Sequence, residues 1–428
     1  MSDTLQSSKL HVLRAWPLLA FSVLCYFITS SVASSMNIAS TIIGDARGWD
    51  PVVLTSMISV ASIGNVILGF VAGRICVKHS PKTLCFIWGA LYVLGLAAMG
   101  TSKAFSLFLI AMIVANATAS AWGYNTVPVL LTNWFPMRKG TVQGLVSMGI
   151  PLGAGFAAMV YNFGFKTWGV DGAFIPFVII AAVTLVLLAF GISDTPEQRG
   201  LTPDTMEYCK TSSAHEAQAA GQGFEPSSQK AIELIKNPRF MVLSIILGFQ
   251  LLYAGGLMVQ IVPRLFELGY SMDEAVADML ISAGFACVGS VVCGVIGDKF
   301  GSRTGVILTF ILGIVGVLCN LLGNHVAVIA SLAIIGIVTG SADNWPVNIC
   351  AEYYGRDGFA NTFGIMLPVI QIVGAFGPMF FAQIAGISGT YALSYIGGAV
   401  LMGIGLAVFI LLTKDGMLDK SNSALKDE

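Results

Sequence analysis

Charge is what this chain lacks. Only 11% of its 428 residues are Asp, Glu, Lys or Arg, under half the roughly 25% usual in soluble domains. Apolar residues make up 56% of the chain and the mean hydropathy is +0.81, a balance that excludes a soluble globular domain and implies an integral membrane protein. A net charge of −1 offers no extended basic face, so nucleic acid is not an expected partner. Cys25, Cys76, Cys85, Cys209, Cys287, Cys293, Cys319 and Cys350 contain no CxxC pair and fall mostly in apolar runs, which argues against a disulfide frame and against a metal site. His11, His79, His215 and His325 all lie outside those runs, so no buried histidine relay is expected. The chain also lacks a G-x-x-x-x-G-K-[ST] loop and any nucleophile and base pair, which excludes ATP as the energy source and makes an enzyme or a cofactor unexpected.

Apolar runs, by contrast, are plentiful. A bilayer crossing takes about 20 residues, and suitable spans fall at 14–40, 51–73, 83–100, 105–131, 141–162, 172–192, 240–262, 274–296, 304–323, 326–349, 359–383 and 390–413. Asp50 and Pro51 are placed to start the second span as N-cap and first-turn residues. Residues 193–239 turn polar and read as a cytoplasmic linker, with a short surface helix expected over Gln229–Lys236. The division is therefore an N-terminal six-helix bundle over 1–192, the linker over 193–239, a C-terminal six-helix bundle over 240–413 and a tail over 414–428. With the N-terminus inside, only Arg47, Lys103, Lys166 and Arg264 fall in outer loops, leaving 18 of 22 basic residues inside (22 − 4 = 18). By the positive-inside rule both termini are expected in the cytoplasm.

One decapeptide organises the rest. Gly294-Val-Ile-Gly-Asp298-Lys299-Phe-Gly301-Ser-Arg303 links two long apolar spans, and Gly73-Arg74-Ile-Cys-Val77-Lys78-His79-Ser80-Pro81-Lys82 aligns with it at a constant offset (294 − 73 = 221). Gly73, Lys78 and Lys82 match Gly294, Lys299 and Arg303, so the chain is a duplication. The decapeptide resembles the inter-helix signature of the major facilitator superfamily, found after the second helix and again after the eighth. The resemblance implies a fold of twelve transmembrane helices in two pseudo-symmetric bundles, and a latching role for Asp298 that Val77 does not reproduce in the first copy. The loop Asn133-Trp-Phe-Pro-Met-Arg138-Lys-Gly140 is similar to its equivalent in the oxalate/formate antiporter and monocarboxylate transporter-like subgroup. Carboxylate transporters of that subgroup generally carry a base in helix 8 or 11, and this sequence has none there.

Asp343 is the most informative single residue, because an acid inside an apolar span is costly and no Lys or Arg lies in the middle of any span to neutralise it. A proton-coupling group would be built this way; an acid permanently hydrogen-bonded to Asn344 or Ser341 is the plainer alternative. Aligning Pro128 with Pro346 gives an offset of 218 and sets Asn125 against Asp343. Trp122 and Tyr124 beside Asn125 offer stacking area and a hydroxyl, though such aromatics also pack cores. Ser30, Ser34 and Asn37 share one face of the first span. Gln250 and Tyr253 lie in the seventh and Gln371 in the eleventh. Asp278 and Glu352, near span ends, read as solvated or paired with a base, Arg356 being in reach of Glu352.

The expected function is a secondary active transporter in the cytoplasmic membrane that moves a small organic solute, with protons as coupling ion and membrane lipid as surroundings, functional as a monomer. A multidrug exporter of the same fold and a non-transporting solute sensor remain open.

Overall fold

The computed structural model describes residues 2–49, 51–136, 138–199 and 231–413. Asp50, residues 200–230 and the tail from 414 lie outside the described residues, as does the start of the expected linker helix, of which Ala231–Lys236 is helical. Among the described residues there is no strand. The membrane helices in chain order are α1 (Ser2–Arg47), α2 (Pro51–Cys76), α3 (Pro81–Thr101), α4 (Phe105–Trp134), α5 (Lys139–Ser147 and Gly149–Gly172), α6 (Ile175–Gly191), α7 (Pro238–Glu267), α8 (Met272–Phe300), α9 (Ser302–Leu321), α10 (His325–Ser341 and Asn344–Gly355), α11 (Gly358–Ser388) and α12 (Tyr391–Thr413). Eight are long and apolar enough to cross a bilayer whole, α5 does so as the bent pair Lys139–Ala157 and Met159–Gly172 and α10 as the pair His325–Ser341 and Asn344–Gly355, and α2 and α6 contribute shorter apolar stretches at Gly64–Cys76 and Ile175–Gly191. This is the twelve-helix membrane fold expected from the sequence.

Helix starts follow local chemistry. Asn237 accepts from Arg239 N and Phe240 N at 3.0 and 3.3 Å with Pro238 in the first turn, and Asn324 caps Ala327 N at 2.9 Å. Ser271 and Glu274 form a capping box at α8.

The chain forms two compact units. Unit 1 takes its described residues from Met1–Val142, Gly149–Ser227 and Arg356–Gly364, and unit 2 from Gln143–Met148, Ser228–Gly355 and Ile365–Glu428. Unit 1 thus includes the first turns of α11, and unit 2 the stretch Gln143–Met148 of α5. Packing inside the units repeats: α2 lies on α4 as α8 lies on α10, α3 on α4 as α9 on α10, and α3 on α6 as α9 on α12. Small residues make these approaches possible where no hydrophobic effect drives helices together. A Cβ at Gly336 would overlap the Ser282 carbonyl, one at Gly340 the Ala286 carbonyl, and one at Gly153 the Phe27 carbonyl. Gly149 and Gly153 are therefore contact points of α5 against α1, while Gly155 faces open space.

Candidate functional site

In unit 1 the polar centre of α4 is wound differently from its ends. Ser120–Thr126 is a π-helix between α-helical Phe105–Ala119 and Val127–Trp134. Pro128 supplies a cause: it has no N–H to reach the carbonyl four residues back and its ring crowds that carbonyl. Inside the wide turn Asn125 Nδ2 donates to Ser120 O at 3.1 Å and Thr126 Oγ1 donates to Ala121 O at 2.7 Å. Asn125 Oδ1 and Trp122 Nε1 are buried with no hydrogen-bond partner among the described residues. Trp122 is fully buried, tilted against Tyr92 and Phe21, with Gly89 beneath it, and Tyr124 meets Tyr26 at 5.5 Å. Thiols from three helices surround the turn: Cys25 faces Gly123, Cys76 Sγ lies 3.8 Å from Thr126 Oγ1 and Cys85 Sγ lies 3.9 Å from Trp122 O.

In unit 2 the same register of α10 is broken. His325–Ser341 and Asn344–Gly355 are bent by 42°, and Asp343 sits at the break with helical dihedrals, its side chain making no capping bond. Adding 218 to 120–126 gives 338–344, so both repeats lose regular α-helix at one place. Pro346 stands in α10 where Pro128 stands in α4. Asp343 is half-buried and has no hydrogen bond or ion pair among the described residues. The break therefore exposes a carboxyl group and the first N–H groups of a helix, chemistry suited to a proton or a polar solute group.

Other candidates divide between open and committed side chains. Gln250 is fully buried with both amide atoms lacking partners among the described residues; in hydrocarbon surroundings such atoms need water or solute. Asn348 is in the same condition, against Gly297 of the signature turn, and the sequence reading passed over it. Its signal was its place one turn beyond Asn344. Asn344 itself is committed: Nδ2 donates to Ser290 O at 3.0 Å and Oδ1 accepts from Ser147 Oγ at 2.6 Å. Tyr253 donates to Gly313 O at 2.9 Å and Ser30 to Ile150 O at 2.8 Å. Ser34 and Gln371 are half-buried, and the side chain of Asn37 lies outside the described residues.

The signature turns are held by acids. Gly301 has φ 81°, a conformation glycine adopts freely, and lets α9 begin three residues after Lys299. Glu352 is exposed, in keeping with a solvated acid, and its Oε2 also accepts from Ser302 N at 2.9 Å, which caps α9; the Arg356 side chain lies outside the described residues. At the first turn Asp194 does the same for α3, accepting from Lys82 N and Ser80 Oγ, both at 2.6 Å. Carboxylates at helix N-termini meet unpaired N–H groups and the positive end of the helix dipole. Glu352→Ala is expected to cost about 1 kcal/mol by loss of the cap, and Glu352→Gln, which keeps an acceptor, to restore most of it; thermal unfolding of the purified protein reads both.

Around the turns, a Cβ at Gly73 would overlap the Gly364 backbone, and Arg74 Nη1 donates to Asn361 Oδ1 at 2.7 Å. Gly144 lies against Ser290 and Gly294 in the same way. Arg303 Nε donates to Thr413 Oγ1 at 3.0 Å. Asp298 is half-buried; Lys78, Lys299 and Arg138 are exposed.

Twelve apolar helices in two repeated bundles, each with an interrupted polar helix, are the plan of a membrane transporter. Residues 19–378 match the Major Facilitator Superfamily, and the chain belongs to it. It is 22% identical to the probable sulfoacetate transporter SauU of Cupriavidus necator, covering 94% of this chain and 96% of that one. Identity to monocarboxylate transporter 13 of Bos taurus is 22% over 82% of this chain and 79% of that one. The uncharacterized MFS-type transporter YhjX of Escherichia coli is 21% identical over 71% of this chain and 72% of its own. Among solved structures, the E. coli fucose:proton symporter FucP superimposes with a TM-score of 0.69 at 13% identity, covering 93% of this chain and 99% of that one. The proton:xylose symporter XylE gives 0.69 at 15%, covering 95% and 96%. The protein is a transporter and not an enzyme.

Proposed function

We propose that this chain carries a small organic solute across the cytoplasmic membrane by alternating access, as a monomer with both termini in the cytoplasm, and that Asp343 couples the movement to protons. The observation that supports it most is Asp343 at the break of α10 with no ion-pair partner among the described residues, since an acid kept in a membrane helix without a base is expensive unless it is used. The solute class is a monocarboxylate-type metabolite or another weak acid that enters with its proton. No base lies in the middle of any membrane helix, so a doubly charged anion would shed its hydration without a fixed positive partner. The relatives' names point to small acids, and the structural neighbours' titles to solute moving with protons.

The test is flux into liposomes holding the purified protein under an imposed pH gradient, over labelled monocarboxylates, dicarboxylates, amines and sugars. Accumulation of a monocarboxylate that a proton ionophore abolishes is expected. Accumulation indifferent to the ionophore, or confined to dicarboxylates, would refute the reading.

A further inference from the structure

Asp278 reads from the sequence as a solvated or paired acid near a helix end, and the structure gives it neither condition. It is 8% exposed in α8, its Oδ2 is buried without a hydrogen-bond partner, and no base pairs with it among the described residues. The cations nearest by packing are engaged elsewhere. Arg264 of α7 donates to Asn320 Oδ1 at 2.9 Å and to Glu267 Oε2 at 2.7 Å, and His325 of α10 shares a 3.0 Å hydrogen bond with Tyr270. The other ionisable neighbour is Glu274, whose Oε2 accepts from the backbone N–H and the hydroxyl of Ser271 at 2.9 and 2.8 Å; the Asp273 side chain lies outside the described residues. Tyr270 is pushed up by burial first and then by the charges of Asp278 and Glu274, which places Asp278 within electrostatic reach of this end of the bundle.

Position along the packing seam gives the acid its meaning. Helices α8 and α10 meet Ser282 to Gly336 and Ala286 to Gly340, both 54 residues apart (336 − 282 = 54; 340 − 286 = 54). One turn further out the same register sets 278 opposite 332, beside a cluster of Ile261, Leu265, Ala275, Val328 and Leu332. Asn344 beside the break keeps that spacing, its Nδ2 donating to Ser290 O (344 − 290 = 54), so the break falls about twelve residues from 278 (290 − 278 = 12), or about 18 Å along the helix. The seam between the two acids carries the buried hydroxyl of Ser282, and Ser290 stands at the break itself, against Asn344. In a single helix pair, therefore, two carboxyl groups without basic partners among the described residues stand at two depths.

We propose that Asp278 is a second proton-binding carboxyl group of unit 2, taking its proton from the outer face and serving the outer half of the α8–α10 seam as Asp343 serves its middle. The step is a simple one: a carboxylate oxygen gains a proton from outer water and later returns it. This extends the proton-coupled reading of Asp343, and the experiment separates the two. Infrared spectra of the full-length protein in liposomes, titrated from alkaline to acid in H2O and D2O, report buried carboxyl groups as a carboxylic-acid carbonyl band with slow hydrogen–deuterium exchange. The wild type is expected to show two components, Asp278→Asn to lose one, Asp343→Asn to lose the other, and Asp278→Glu to shift the first while keeping it. A titration of Asp278→Asn that superimposes on the wild type, in protein that elutes as a folded monomer, overturns this proposal and leaves Asp343 untouched. Loss of a component in Asp278→Asn alone, with Asp343→Asn unchanged, sinks the reading of Asp343 and leaves this one standing.

Discussion

Asp343→Asn is expected to remove accumulation against a gradient while leaving exchange of solute across the membrane. With one proton moved per solute, a pH difference of one unit supports about tenfold accumulation, since each 1.4 kcal/mol is a factor of ten. In the variant the inside and outside concentrations should level, whatever the gradient. The asparagine keeps the size and polarity of the side chain at the α10 break, and Asp343 makes no hydrogen bond or ion pair among the described residues whose loss would unfold the helix. Counterflow of labelled solute in the same liposomes therefore checks that the site still binds. Uphill transport by the variant at wild-type level would remove protons from the role assigned to Asp343.

The largest effect on stability is expected from Gly340→Val. A Cβ there would overlap the Ala286 carbonyl, and the neighbouring glycines Gly336 and Gly289 are equally tight, so α8 and α10 have no side-chain gap into which a branched residue can move. Backbone against backbone cannot be relieved by a rotamer change; the helices must separate, at a cost of about 3 kcal/mol. Separation would also strain the bonds of Ser290 to Gly340 O and of Asn344 to Ser290 O. Yield of monodisperse protein and its unfolding temperature should both fall. Gly284→Ala on α8 and Gly403→Ala on α12 are the controls, because nothing lies within 4 Å of a Cβ at either position. Each should be neutral or gain up to about 1 kcal/mol from helix propensity. A stable Gly340→Val variant would mean the seam is looser than its glycines indicate.

Much of this was readable from residue order alone. Apolar run lengths located the helices, and the twofold occurrence of the glycine and basic turn, Gly73 to Lys82 and Gly294 to Arg303, revealed the duplication. Asp343 was conspicuous because nothing else ionisable lies at its depth in α10. What could not be read was pairing across helices. Asn344 beside Asp343 looked equally available, yet Ser147 and Ser290 occupy it. Tyr253 has the composition of a solute contact and hydrogen-bonds α9 instead. Glu352 offered a neighbour in sequence, Arg356, and found a helix terminus fifty residues away at Ser302. Asp278 was judged by its distance from the end of its span, whereas burial depends on how α7 and α10 close over it. The interruptions of α4 and α10 have a legible sign in the aligned prolines at 128 and 346, each of which lacks the N–H that a regular helix needs.

The wide turn at Ser120–Thr126 amounts to a surplus amino acid stored within α4. Were it rewound as ordinary α-helix, the run from Val127 to Trp134 would pivot about 100° around its axis, pulling the Trp134 indole off Ser193 O, where it now donates at 3.0 Å. That tether makes the expanded coil a fixed phase shift: the lower third of α4 keeps its bearing on the linker only because the middle third is out of step.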